Sequence, residues 1–280
     1  MRIAFLADYL LPPFLLGIEL PKHPYLWFQA LTDIMNQKKS TIRHRGIYLL
    51  PNLFTTGAMF SGFYAITSAI NGRYETAAIA IFVAMILDGL DGRVARLTNT
   101  QSKFGVEYDS LSDMVSFGAA PALVMYLWAF SSMGKLGLFA SFVHMAGGAL
   151  RLARFNAQVE TDDKRYFQGL PSPAAAAIPA GFIWICLEYG YAVDGVKYAA
   201  LILTIATGLL MVSNFRYYSF KGIDLKGKVP FVVAIAMMLG VAFVMAQPQA
   251  ILFLFFLGYA ISGPVFTLVM RRRRLQDRKS

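Results

Sequence analysis

Ala77-Ala78-Ile79-Ala80-Ile81-Phe82-Val83-Ala84-Met85-Ile86-Leu87 runs without a break into Asp88-Gly89-Leu90-Asp91-Gly92-Arg93-Val94-Ala95-Arg96. The run belongs to a candidate span over residues 75–96. Roughly 20 mostly apolar residues are needed to cross about 30 Å of hydrocarbon. A backbone facing lipid has to satisfy its own hydrogen bonds, so a span of this kind is a helix. Asp88 and Asp91 are three residues apart and share one face at its end. Ionisable groups within spans are costly and usually functional.

Further spans lie on either side of this one. The sequence predicts them over 49–70, 107–130, 136–156, 172–190, 197–213, 229–246 and 250–270. The fold expected is all-α, a polytopic membrane bundle of about eight transmembrane helices. Composition agrees: 57% of the 280 residues are hydrophobic and 15% charged, with a mean hydropathy of +0.52. Ordinary soluble domains run near 45–50% apolar and about 25% charged, so a soluble enzyme is excluded. Disorder is excluded as well, because 14% aromatic residues and few charges reverse the disordered composition.

The net charge of +10 would suggest nucleic acid on a soluble domain. In a membrane chain it reads as the positive-inside bias, and no nucleic-acid partner is expected. With both termini in the cytoplasm, the external connections hold only Arg73, Lys135 and Lys197, against 21 basic residues inside, leaving aside Arg2 and Lys22. Shifting the count by one helix would scramble that alternation. An integral membrane location is expected, with the acidic helix ends facing the cytoplasm. Residues 1–45 form an N-terminal extension in which Pro12, Pro13, Pro21 and Pro24 break any long helix. An interfacial segment carrying Trp27 and Phe28 is expected there. Residues 46–270 make the transmembrane domain, and 271–280 a basic cytoplasmic tail whose Arg271 to Arg274 suit anionic lipid. The lone Cys186 precludes an intramolecular disulfide.

After Arg96 and eight further residues comes Gly105-Val106-Glu107-Tyr108-Asp109-Ser110-Leu111-Ser112-Asp113. Asp109 and Asp113 are spaced i, i+4, on one face at the start of the next span. A loop of about ten residues brings the two helices back antiparallel, so all four carboxylates converge near the cytoplasmic boundary. Gly89, Gly92 and Ala95 lie on or beside the same face and let a ligand approach closely. Four carboxylates in low dielectric repel strongly, and divalent cations remove that problem. Hard oxygen donors suit Mg²⁺, Mn²⁺ or Ca²⁺. Four formal negative charges suggest two such ions, as in two-metal phosphoryl chemistry. His23, His44 and His144 do not cluster, so imidazole ligation is unsupported. The alternative for a single intramembrane Asp, a salt bridge to Arg93 or Arg96, accounts poorly for four at helix-face spacing.

This string resembles the signature of the CDP-alcohol phosphotransferase family, D-x2-D-G-x2-A-R-x8-G-x3-D-x3-D. All eight fixed positions match: Asp88, Asp91, Gly92, Ala95, Arg96, Gly105, Asp109 and Asp113. A chance match is about one in 10¹⁰ per starting position at ordinary residue frequencies. Ile47 to Thr56, Ser112 to Pro121, Arg151-Leu152-Ala153-Arg154-Phe155-Asn156 and Gly169 to Ala174 look like its bacterial and archaeal phosphatidylserine synthase branch.

The resemblance implies that the phosphatidyl group of CDP-diacylglycerol moves to the hydroxyl of L-serine with release of CMP, with two divalent cations, Mg²⁺ or Mn²⁺, as cofactors. It implies metal binding by Asp88, Asp91 and Asp109 and a general base in Asp113, which also touches a metal. It implies nucleotide contacts at Gly92 and Arg96, and a homodimer in the membrane lipid.

Asn52 and Thr55, at the cytoplasmic start of the first span, suit cytidine or ribose, with helix capping an equal alternative. Ser102 and Lys103 are read either as pyrophosphate contacts or as a solvated loop. Serine carries a carboxylate, for which Arg151 and Arg154 are the candidate cations, the alternative being headgroup snorkelling. Asn156, Gln168 and Ser172 are polar partners for the same pocket. Two competing functions remain open on the sequence: a sibling enzyme using glycerol 3-phosphate or inositol phosphate, and a divalent-cation transporter. The transporter predicts acids spread through the membrane depth, whereas the outer ends hold only Glu75, Glu188 and Asp194.

Overall fold

A computed structural model of the chain describes residues 50–98, 100, 102–157, 166–218 and 231–277. The expectations for residues 1–45 lie outside the described residues, as do the basic residues between 219 and 230. Among the described residues, eight helices follow in order: α1 (Leu50–Ile70), α2 (Tyr74–Thr98), α3 (Lys103–Met133), α4 (Lys135–Ala157), α5 (Ser172–Glu188), α6 (Val193–Val212), α7 (Phe231–Ala246) and α8 (Pro248–Asp277). Each coincides with one predicted stretch. Five of them, α1, α3, α4, α6 and the Pro248–Met270 part of α8, are long and apolar enough to cross a membrane. Large apolar side chains such as Phe63 on α1, Phe139 and Phe142 on α4 and Phe255 on α8 stand exposed, as lipid contact demands. The chain is an integral membrane protein. The remaining helices depart from that standard for visible reasons. α2 carries Glu75, Asp88, Asp91, Arg93 and Arg96, and α5 and α7 have only 17 and 16 residues.

The helix ends differ from expectation where charge misled. α6 starts at Val193 rather than 197, because Asp194 and Lys197 form its first turn. They pair at 2.8 Å, and an acid there also favours the helix N-terminus. α3 starts at Lys103 rather than 107, since the Ser102 hydroxyl caps it by accepting from the Gly105 N–H at 3.0 Å. α8 continues through the arginine run to Asp277 instead of giving way to a tail at 271. An all-α reading also missed two short antiparallel strands, β1 (Tyr166–Gln168) and β2 (Arg216–Tyr218), which pair the segments flanking α5 and α6.

α5 is the centre of the bundle. Ala174, Ala175, Ala176, Ala177, Ile178, Ala180, Gly181 and Ile183 are all buried, so it is apolar all round and packs against α2, α3, α6 and α8. Small side chains allow the close approach: a methyl at Gly181 would stand 3.2 Å from the Phe253 Cα. α1 is pinned along α3 by hydroxyls. Ser112 donates to the Thr55 carbonyl and Ser116 to the Ala58 carbonyl, both at 3.0 Å. Gly134, at φ +57°, makes the one-residue link that folds α4 back on α3. The two hydroxyl bonds hold α1 against the part of α3 that borders one polar spot.

Candidate active site

That spot is built from the end of α2 and the start of α3. One carboxylate oxygen from each of Asp88, Asp91 and Asp109 lies within 4.8 Å of the others. Asp113, one turn beyond Asp109, contacts the Asp88 side chain and faces Asp109. Asp91 is buried, while Asp88, Asp109 and Asp113 are half-buried. At this separation two ionised carboxylates repel by about 3 kcal/mol in an effective dielectric near 20. The assembly therefore calls for positive charge. Its donors are hard oxygens, with no histidine or cysteine in the group among the described residues, and such a set fits Mg²⁺ or Mn²⁺.

Other groups hold the carboxylates in place. The Thr55 hydroxyl of α1 donates to Asp91 Oδ2 at 2.6 Å inside the protein. Thr55 itself is fixed through its carbonyl by Ser112, the neighbour of Asp113. Ser110, next to Asp109, exchanges hydrogen bonds with Asn156 at the end of α4, the shorter being 3.0 Å. On the solvent side, Arg96 reaches back past Gly92, where an added methyl would stand 3.5 Å from Nη1, and its charge acts on Asp91. Asn52 Oδ1 sits beside Gly105, so Asn52, Ser102 and Gly105 line the same mouth. Ser102 caps α3, and Lys103 is exposed at its first turn.

The two candidate acceptor arginines separate. Arg151 of α4 points inward: Nη1 donates to the buried Ser172 hydroxyl at 2.7 Å, and its charge acts on Asp113 and Asp88. Its Nε is buried without a hydrogen-bond partner among the described residues. Arg154, one turn on, donates to the Val212 carbonyl at 3.0 Å and the Asn214 side chain at 3.4 Å. It thus caps the end of α6. Gln168 bonds the same Asn214 at 2.9 Å. The structure brings together Asp88, Asp91, Asp109, Asp113, Thr55, Arg151 and Ser172, and leaves Arg154 and Gln168 on the α6 turn.

Sequence reasoning passed over Tyr259 of α8, whose phenol group lies close enough to Arg151 for the two to interact electrostatically. Its hydroxyl donates to the Tyr218 carbonyl at 3.0 Å, and its ring packs 5.5 Å from that of Tyr217. Tyr217 is fully buried in a notch that only a glycine at 263 leaves open, and its hydroxyl donates to the Ala260 carbonyl at 3.0 Å. Burial, with Tyr259 alongside, holds the Tyr217 hydroxyl above its ordinary range. The one signal in the sequence was the pair of adjacent tyrosines in a connection otherwise read as loop.

A family model described as CDP-alcohol phosphatidyltransferase matches residues 48–262. The chain is 39% identical over 217 residues to a CDP-diacylglycerol--serine O-phosphatidyltransferase of Helicobacter pylori, covering 78% of this chain and 90% of that protein. It is 29% identical over 235 residues to the protein of the same name from Mycobacterium leprae, covering 82% and 78%. Over 137 residues it is 41% identical to the one from Methanocaldococcus jannaschii, covering 49% and 61%.

Proposed function

This chain belongs to the CDP-alcohol phosphatidyltransferase family, and from that premise we propose that it transfers the phosphatidyl group of CDP-diacylglycerol to the hydroxyl of L-serine, giving phosphatidylserine and CMP. The observation that carries the proposal is the convergence of three carboxylate oxygens within 4.8 Å, with Asp113 beside them and Arg151 facing it. Asp88, Asp91, Asp109 and Asp113 are the residues that would hold two divalent cations, Mg²⁺ or Mn²⁺. When bound, such ions neutralise the pyrophosphate and stabilise the departing CMP oxygen.

The chain's own residues supply the rest. Asp113 takes the proton from the serine hydroxyl, whose pKa is far too high for it to ionise unaided. The serine oxygen forms a bond to the lipid-bearing phosphorus, and the bond to the CMP oxygen breaks with its electron pair leaving on CMP. Gly92 admits the nucleotide close to the backbone, and Arg96 forks onto phosphate oxygens. Asn52 and Ser102, with Lys103, line the mouth where cytidine and pyrophosphate enter. Thr55 steadies Asp91. Arg151, whose Nε is buried with no hydrogen-bond partner among the described residues and whose charge acts on Asp113, takes the serine carboxylate, with Ser172 steadying the guanidinium. Arg154 is assigned to the fold and not to the acceptor.

All eight helices cross the membrane, with the short α5 shielded at the bundle's centre. Both termini and the site face the cytoplasm, as the distribution of basic residues supports. Residues 46–270 form the transferase domain, preceded in the chain by residues 1–45 and followed by a basic end at 271–280. By family resemblance the enzyme is a homodimer.

The test is CMP release from CDP-diacylglycerol in detergent with Mn²⁺ or Mg²⁺. L-serine supports release, whereas glycerol 3-phosphate and inositol phosphate do not. Asp113→Asn lowers the serine-dependent rate by about 10²–10⁴, the range of a positioned base. Serine-dependent turnover that survives the substitution undamaged removes Asp113 as the base.

A further inference from the structure

The helix that carries Asp109 and Asp113 stops being regular at the next residue. Over Met114–Ala119 it widens into a π-helical turn, in which the Ala120 N–H bonds to the Val115 carbonyl five residues back. Such a turn accommodates one extra residue. One residue corresponds to about 100° of rotation about a helix axis. The segment Lys103–Asp113 is therefore turned by that amount against the part of α3 anchored in the core, where Ala120, Val124 and Met125 are wholly buried. The direction in which Asp109 and Asp113 point depends on the turn remaining in place.

Three contacts grip it. Ser116 donates to the Ala58 carbonyl of α1. Gly118 lies against Gly148 of α4, where an added methyl would stand 3.3 Å from the Gly118 Cα. The third is His144 of α4, wholly buried, with Nε2 3.2 Å from the Phe117 carbonyl inside the turn. A carbonyl only accepts, so Nε2 carries the proton. Nδ1 therefore accepts, and the Thr207 hydroxyl of α6 lies 2.9 Å from it, sharing its one proton between Nδ1 and the Thr204 carbonyl, also at 2.9 Å. α6 is held close here because Gly208 packs directly on the backbone of Val143 and His144. A polar ring at this depth is costly unless both nitrogens are satisfied. With both engaged, His144 is available neither as a metal ligand nor as an acid or base.

We propose that His144 is a positioning residue for the carboxylate site: by holding the Phe117 carbonyl it maintains the π-turn that aims Asp109 and Asp113 at Asp88 and Asp91. The proposal rests on the reading that these four carboxylates bind metal. It concerns metal affinity first and turnover second.

The test uses the full-length protein in detergent, with Mn²⁺ binding followed by electron paramagnetic resonance in the absence of substrate, alongside kcat, KM and the thermal midpoint. His144→Leu weakens Mn²⁺ binding about tenfold, the loss expected of a group that orients ligands without being one. At saturating metal it lowers kcat, while KM for L-serine stays within about twofold. His144→Gln, whose side-chain amide can donate from nearly the same position, restores Mn²⁺ affinity to within about threefold of the parent. Unchanged Mn²⁺ affinity in a folded His144→Leu protein, even with a lowered thermal midpoint, overturns the proposal. So does a Gln variant that fails as fully as the Leu variant. Should His144→Leu not fold, Thr207→Val decides, since it removes the partner of Nδ1 and leaves the ring. It is expected to weaken Mn²⁺ about threefold, and parental affinity overturns the proposal. Absence of serine-dependent CMP release in the parent protein would sink the reaction assignment while leaving the Mn²⁺ comparison intact.

Discussion

The acidic ends of α2 and α3 are half-open and the alanine-rich α5 is enclosed, and the two are held by opposite means. α5 is fixed by shape: Ala176 and Ala180 are fully buried among apolar neighbours, and backbones approach because the side chains are small. The acidic ends are fixed by direction: Thr55 on Asp91, Ser112 on Thr55, Asn156 on Ser110. Packing of the first kind stabilises the fold at no functional gain. The second assembles like charges that weaken the fold unless a cation joins them. The two regions should therefore answer differently to damage.

The largest difference is expected from Asp91→Ala set against Ala176→Leu. Asp91→Ala should abolish Mn²⁺ binding and serine-dependent CMP release, as chelation of the parent enzyme with EDTA should, the latter reversed by added Mn²⁺. Because it also removes one of the mutually repelling carboxylates, the metal-free thermal midpoint should stay level or rise. Ala176→Leu should do the reverse: overpacking costs about 1–3 kcal/mol of stability, with Mn²⁺ affinity of the folded protein unchanged. A metal-free Asp91→Ala protein less stable than the parent would show that the acidic ends are structural after all.

A smaller contrast lies within α4. Arg151 and Arg154 differ by a single turn, but one faces Asp113 and the other closes α6. Arg151→Ala should raise KM for L-serine about 10- to 100-fold, the loss of a charged hydrogen-bonding partner worth about 1.5–3 kcal/mol. Arg154→Ala should leave that KM unchanged and lower stability by about 1 kcal/mol, as for a lost cap. Equal effects on KM would return both arginines to the acceptor pocket.

The same contrast explains how much could be read from the chain. Helices were legible because lipid demands long apolar runs, and the four aspartates because charge in such a run is conspicuous. Spacing of three and four residues then fixed which carboxylates share a face. Directional detail was not legible. Arg151 and Arg154 carry the same side chain on nearly the same face, and only the neighbouring ends of α5 and α6 decide where each guanidinium goes. Thr55 could equally have capped α1, and its bond to Asp91 spans 36 residues of sequence. The π-turn after Asp113 leaves no hydropathy signal, since widening a helix by one residue keeps its composition. Asp194 and Lys197 read as loop because charge at a helix start and charge in a connection look alike.

Thr55 gives the finest test, because its side chain joins the two kinds of fixation. The hydroxyl is buried, 2.6 Å from Asp91 Oδ2, while its backbone is part of the α1–α3 seam. Thr55→Val keeps the shape and deletes only the donor. If direction is what the acidic ends need, Mn²⁺ affinity should fall about tenfold, within the range for a group that orients a ligand. The thermal midpoint of the metal-free protein should move little, since Val preserves the packing. Thr55→Ser, which keeps the hydroxyl and opens a methyl-sized gap, should show the mirror image: near-parental Mn²⁺ affinity and a loss of about 1 kcal/mol in stability. If the Val variant bound Mn²⁺ like the parent, Asp91 would be positioned by packing alone, and the acidic ends and α5 would be built on one principle.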